Sequence, residues 1–172
     1  PELAKKVDSA VFPYAQGGPL EHVIAGKAIC AEEAMQPEYK EYIAQVVKNC
    51  KALSDEFIRL GYKVVTGGTD NHLILLNVKS LGLTGKVAEH ILDEVGITTN
   101  KNTIPYDTES PFVTSGIRIG TPAATSRGFK EEEMKEIGLI IASILKNPES
   151  EEVKQDAIAR VKALTDRFPL YA

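Results

Sequence analysis

The chain has 172 residues, 43% of them hydrophobic and 26% charged, with a formal net charge of -4. That length suits one ordinary domain, or one domain with part of another, and is enough to bury a core. The composition is that of a soluble globular protein, with no basic stripe for nucleic acid and no apolar run approaching the ~20 residues that span a bilayer, so neither is expected as a partner.

The opening Pro1-Glu2-Leu3-Ala4-Lys5-Lys6 has no methionine before it and neither the apolar run of a signal peptide nor a transit-like composition. We read the chain as a piece of a longer protein. Next comes Ser9-Ala10-Val11-Phe12-Pro13-Tyr14-Ala15-Gln16-Gly17-Gly18-Pro19-Leu20-Glu21-His22. Two glycines and a proline ahead of a helical pattern form a turn, and free backbone N–H groups at a helix start also suit a phosphate. His22 is either a polar site residue or a satisfied helix histidine.

From Leu20 to about Leu60 the apolar positions Val23, Ile24, Ala28, Ala31 and Ala34, then Tyr42, Val46, Val47, Leu53 and Phe57, recur at helical spacing. Gln36-Pro37 divides them into two helices, and Gly61 closes the second. Cys30 and Cys50 lie in these patterns with no histidine at metal-ligand spacing, which predicts reduced thiols in a cytosolic setting and no metal site.

Tyr62 to Thr66 reads as a short strand ended by Gly67-Gly68, and Asn71 to Val78 as a second, so continuously apolar that burial on both faces is expected. Asp70-Asn71-His72 has no nucleophile at a defined spacing and reads as a loop. Thr84 caps a helix from Gly85 to about Glu94, and Ile97 to Asn100 begins a third strand. Lys101 to Glu109 is irregular, with Asn102, Pro105 and Asp107 as turn formers. On chemistry alone it is a surface loop, although one running into the next strand is placed to hold a ligand.

That next strand is the most informative stretch, Ser110-Pro111-Phe112-Val113-Thr114-Ser115-Gly116-Ile117-Arg118-Ile119-Gly120-Thr121-Pro122-Ala123. Alternation puts Ile117 and Ile119 on one face and Arg118 between Gly116 and Gly120 on the other. The glycines read as clearance for a planar anion approaching the guanidinium fork. A lone strand arginine is more often a solvated or salt-bridged surface residue, so the alternation alone leaves both readings open. Thr121-Pro122 has the form of a hydroxyl N-cap with proline at the first helical position. After the turn Ser126 to Phe129, an amphipathic helix runs from Lys130 to Lys146 with Met134, Ile137, Ile140, Ile141 and Ile144 inward. Its Glu131-Glu132-Glu133 suits the helix dipole, not a metal. Asn147-Pro148 precedes a last helix, Glu149 to about Arg167. The order of elements is that of an α+β fold, a small antiparallel or mixed sheet covered by helices on one side.

The stretch from Ser110 to Ala123 resembles, without a gap, the segment of serine hydroxymethyltransferases whose arginine binds the carboxylate of the amino-acid substrate. The Ser9 to Pro19 run and Asn100-Lys101-Asn102…Pro105 are similar to further segments of that family. The resemblance covers essentially the whole chain and makes it the C-terminal portion of such an enzyme, with residues 1–33 as the tail of the large cofactor domain and 34–172 as the small C-terminal domain. It implies a pyridoxal-phosphate enzyme of fold type I that moves the hydroxymethyl carbon of serine to tetrahydrofolate, leaving glycine. It further implies that Arg118 grips the substrate carboxylate and that Gly17 or Gly18 contacts the pyridoxal phosphate of a neighbouring subunit in a homodimer or higher oligomer. Phe12, Asn102, Ser110, Pro111 and Phe112 would then lie at the folate. Tyr14, Ile104 and Tyr106 depart from the family's usual residues. The family's Thr-His-Lys run, which carries its cofactor lysine, does not occur, since His22, His72 and His90 are each followed by an apolar residue. By this resemblance the lysine lies upstream and the chain is inactive alone. An aminotransferase-like enzyme of the same fold type and a non-catalytic amino-acid-binding module are the rival readings.

Overall fold

The structure, a computed structural model, describes residues 2–170. The chain divides into two compact units, Pro1–Lys40 and Glu41–Ala172.

The first unit is helical. α1 (Ala4–Ser9) runs into a widened turn at Ala10–Ala15, where Phe12 has extended backbone, and α2 (Glu21–Ala34) follows the Gly17-Gly18 turn. Its described side chains are all exposed, including Leu3, Val7, Val11, Phe12, Leu20, Val23, Ile24 and Ile29. α3 (Pro37–Arg59) starts at the proline, as the sequence predicts, because proline lacks only an N–H that the first helical turn does not use.

Most of α3 belongs to the second unit, where Val46, Cys50, Leu53 and Phe57 form a buried stripe at helical spacing. β1 (Lys63–Val64), β2 (Leu73–Asn77), β3 (Asn100–Asn102) and β4 (Gly116–Gly120) build one antiparallel sheet in the order β1-β2-β4-β3. α4 (Gly85–Asp93) precedes β3, and α5 (Pro122–Ser126), α6 (Glu131–Lys146) and α7 (Glu151–Arg167) follow β4. The expected α+β fold is therefore present. Its core joins Ile74, Leu76, Ile117 and Ile119 of the sheet to Phe57 of α3, Leu92 of α4, Ile140, Ile141 and Ile144 of α6, and Leu164 of α7. Phe57 meets Tyr62 edge to face at 5.8 Å, and the Tyr62 hydroxyl donates to the carbonyl of Ala142 at 2.8 Å. Burial pushes that hydroxyl's pKa up to about 12.

The sheet differs from expectation in two respects: β3 occupies Asn100–Asn102, past the Ile97 to Asn100 stretch where the sequence pattern starts a strand, and β2 is less covered than its apolarity suggests. Leu73 and Leu75 are only half-buried, so β2 is buried on one face and not on both. Continuous apolarity cannot distinguish a strand covered twice by its own chain from one whose second face is left open.

Candidate functional site

β4 lies between β2 and β3, with Arg118 opposite Leu75 on one side and Asn100 on the other. Residues paired across antiparallel strands share a face. The open face therefore carries Leu73, Leu75, Asn77, Gly116, Arg118, Gly120, Asn100 and Asn102. Arg118 is exposed there, and its Nη2 donates to Oδ1 of Asn100 at 3.5 Å. The other four arginines are engaged: Arg59 with Glu56, Arg160 with Glu136 and Asp156, Arg167 with Glu133, and Arg127 with the carbonyls of Phe168 and Thr165. Among the described residues no carboxylate pairs with Arg118. An exposed guanidinium on a strand, with no carboxylate partner among the described residues, has a fork whose geometry suits a planar anion.

The strand is held by groups distant in sequence. Thr121 is not the side-chain cap that its position suggests; its hydroxyl donates to the carbonyl of Val46 in α3 at 3.0 Å. Buried Asn49, one turn further along α3, donates to Thr125 Oγ1 and to the carbonyl of Phe129, both at 2.8 Å. The ends of α5 are thereby tied to α3. Gly116 also differs from its reading as ligand clearance: a Cβ there would lie 2.7 Å from Ile104 Cγ2 and 3.0 Å from the Asn102 carbonyl. Its missing side chain makes room for Ile104. At Gly120 a Cβ would find ordinary contacts, 3.5 Å and longer.

Asn102 shares the face of Arg118, and its Nδ2 donates to the carbonyl of Thr103 at 2.7 Å. The loop from Thr103 to Ser115 then carries Ser110, Pro111 and Phe112, all exposed, Phe112 82% so. Tyr106 is also fully exposed. At the loop's far end, the amides of Gly85 and Lys86 donate to the carbonyls of Thr114 and Val113 at 2.9 and 3.0 Å. This docks α4 so closely that a Cβ on Gly85 would stand 2.0 Å from Thr114 Oγ1 and 2.3 Å from the Gly116 carbonyl. Asp107, by sequence a turn former only, is the most engaged polar side chain of the loop. Its carboxylate accepts from the Ser115 hydroxyl at 2.6 Å and from the amides of Ser115, Glu109 and Ile104. Those bonds, the Ser115 hydroxyl first, hold its pKa well below the usual carboxylate range. The local signal was present in its Asx turn to the amide two residues on.

In the first unit, Gly17 and Gly18 lie in the turn ahead of α2, and a Cβ on either would meet nothing within 4 Å. Neither holds a φ in the left-handed region, and their amides bond to no acceptor among the described residues. Phe12 is 64% exposed. Within the second unit Arg118 and Asn102 share one sheet face, and Ser110 to Phe112 are exposed in the loop that joins their strands; within the first unit Phe12, Gly17 and Gly18 are exposed. No set of three or more His, Cys, Asp or Glu side chains suited to a metal occurs among the described residues, and no described helix is long and apolar enough to cross a membrane.

The profile of a family described as serine hydroxymethyltransferase matches residues 1–141. This chain belongs to the serine hydroxymethyltransferase family. Curated relatives include the serine hydroxymethyltransferase of Rippkaea orientalis, 55% identical over 170 residues, and that of Crocosphaera subtropica, 56% identical over 171 residues. Each alignment takes in 99% of this chain and 40% of the relative, so the chain spans about two fifths of the length of these serine hydroxymethyltransferases.

Proposed function

We propose that this chain is the C-terminal portion of an active serine hydroxymethyltransferase, interconverting serine plus tetrahydrofolate with glycine plus methylenetetrahydrofolate. The observation that carries the reading is Arg118, the one arginine without a carboxylate or carbonyl partner among the described residues, set on an open sheet face with Asn102.

In this proposal Arg118 binds the carboxylate of serine or glycine through two parallel N–H···O bonds. Both ends of β4 are fixed, so the carboxylate is held at one angle, and with it the choice of which Cα bond is presented for cleavage. Asn100 steadies the guanidinium from the side. Asn102 and the Ser110 to Phe112 backbone contact the pterin, with Phe12 at the rim. The free amides and absent side chains of Gly17 and Gly18 fit a phosphate, and they serve the pyridoxal phosphate of a neighbouring subunit in a homodimer or larger assembly. That cofactor, when bound, supplies the electron sink at Cα. Its lysine comes from outside these 172 residues, and the stretch alone does not turn over serine. Residues 1–33 are the tail of the large cofactor domain and 34–172 the small domain, and the whole enzyme acts in the cytoplasm.

The test is made in the complete enzyme. Arg118→Lys keeps the charge but loses the fork, and at about 1.5–3 kcal/mol per charge-assisted hydrogen bond serine affinity falls roughly tenfold to a hundredfold with cofactor retained. Arg118→Ala loses more and nearly abolishes turnover. Serine titrations followed by cofactor absorbance measure both variants; wild-type affinity in Arg118→Ala ends the proposal.

A further inference from the structure

The loop between β3 and β4 is closed by one carboxylate. Asp107 Oδ2 accepts from the amides of Ile104 at 3.1 Å and Ser115 at 2.9 Å, and Oδ1 from the Glu109 amide at 3.0 Å and the Ser115 hydroxyl at 2.6 Å. Ile104 stands just past β3 and Ser115 just before β4, so the same side chain clasps both ends of the loop. An ionised carboxylate has about four acceptor positions and no donor, and here all are used within the loop. The loop also holds two non-glycine residues at left-handed φ, Tyr106 at 58° and Thr114 at 61°. Such conformations persist only where surrounding contacts over-determine them.

We propose that Asp107 is a positioning residue for the folate co-substrate. It touches no ligand, since its acceptor positions are taken. By closing the loop it presets the Ser110 to Phe112 backbone and so governs affinity for the pterin. Amino-acid affinity is governed separately, because β4 is held without Asp107 by its register with β2 and β3 and by the Thr121 tie to Val46. The inference rests on the serine hydroxymethyltransferase reading.

Two variants of the complete enzyme test it. Asp107→Asn keeps one acceptor oxygen and turns an NH2 group toward two donors, which opens the clasp. Ser115→Ala removes only the 2.6 Å bond. With preorganisation lost, KM for tetrahydrofolate at saturating serine rises about tenfold or more in Asp107→Asn and severalfold in Ser115→Ala. Serine affinity stays within about twofold of wild type in both. Hydrogen exchange at the amides of Ile104, Glu109 and Ser115 speeds up in parallel. An unchanged KM for tetrahydrofolate, or an equal loss of serine affinity, overturns the inference; if Asp107→Asn does not fold, Ser115→Ala decides by the same readings. A wild-type enzyme that does not bind tetrahydrofolate overturns the functional reading and the inference with it, whereas normal wild-type binding with unaffected variants overturns the inference alone.

Discussion

Residues 2–40 and residues 41–170 both carry helices studded with apolar side chains, and only the second group buries them. In the second unit, α3, α4, α6 and α7 bury their apolar stripes with the inner face of a four-stranded sheet. In the first, Leu3, Val7, Val23, Ile24 and Ile29 stay exposed along α1 and α2. Two pairs of glycines show the same contrast. Gly85 and Gly116 are required by atoms of this chain lying less than 3 Å from any Cβ, whereas Gly17 and Gly18 have neither a close neighbour nor a left-handed φ. Where the chain explains its own residues, they are architecture. Gly17, Gly18, Phe12, Phe112 and Arg118 are exposed, and the proposal above assigns them to a ligand or to another subunit.

The largest effect that would test this division is at Phe57, fully buried in the second unit's core. Phe57→Ala costs about 3–5 kcal/mol, read from denaturant unfolding of the complete protein. A loss below about 1 kcal/mol would mean that the core is not where the burial pattern puts it.

Next comes Gly85→Ala. With a Cβ 2.3 Å from a backbone carbonyl, α4 must shift away from the loop, at a cost of about 1–3 kcal/mol from overpacking. Gly18→Ala provides the contrast, with stability unchanged within about 0.5 kcal/mol and cofactor retention reduced on dialysis. Equal destabilisation by the two substitutions would erase the distinction between the two sets of glycines.

A smaller effect concerns acid. The folded pKa of Asp107 is depressed from its ordinary 3.8 by the Ser115 hydroxyl and three amides, so its contribution is fully present above that value and is lost as pH falls below it. The gap in melting temperature between wild type and Asp107→Asn is therefore constant from pH 7 to about 5 and narrows below about pH 4. A gap that persists unchanged to pH 2 would show that the carboxylate's charge is not what closes the loop.

Several element boundaries and the residue types of the candidate site are legible in the sequence. Those features are written in neighbours: proline at the start of α3, Thr84 accepting from the Val87 amide to cap α4, and alternation through Gly116 to Gly120. Tertiary structure alone decided which face of β2 is open, that Gly116 makes room for Ile104, that the Thr121 hydroxyl serves Val46 and not its own helix, that Asp107 closes a loop, and that Arg118 has no counterion among the described residues. Each of these depends on a partner across a turn or, as with Thr121 and Val46, 75 residues away in the chain. Helix and strand periodicities record only which side of an element is apolar; they carry no trace of which distant group will meet it, because that is set when the chain closes on its core.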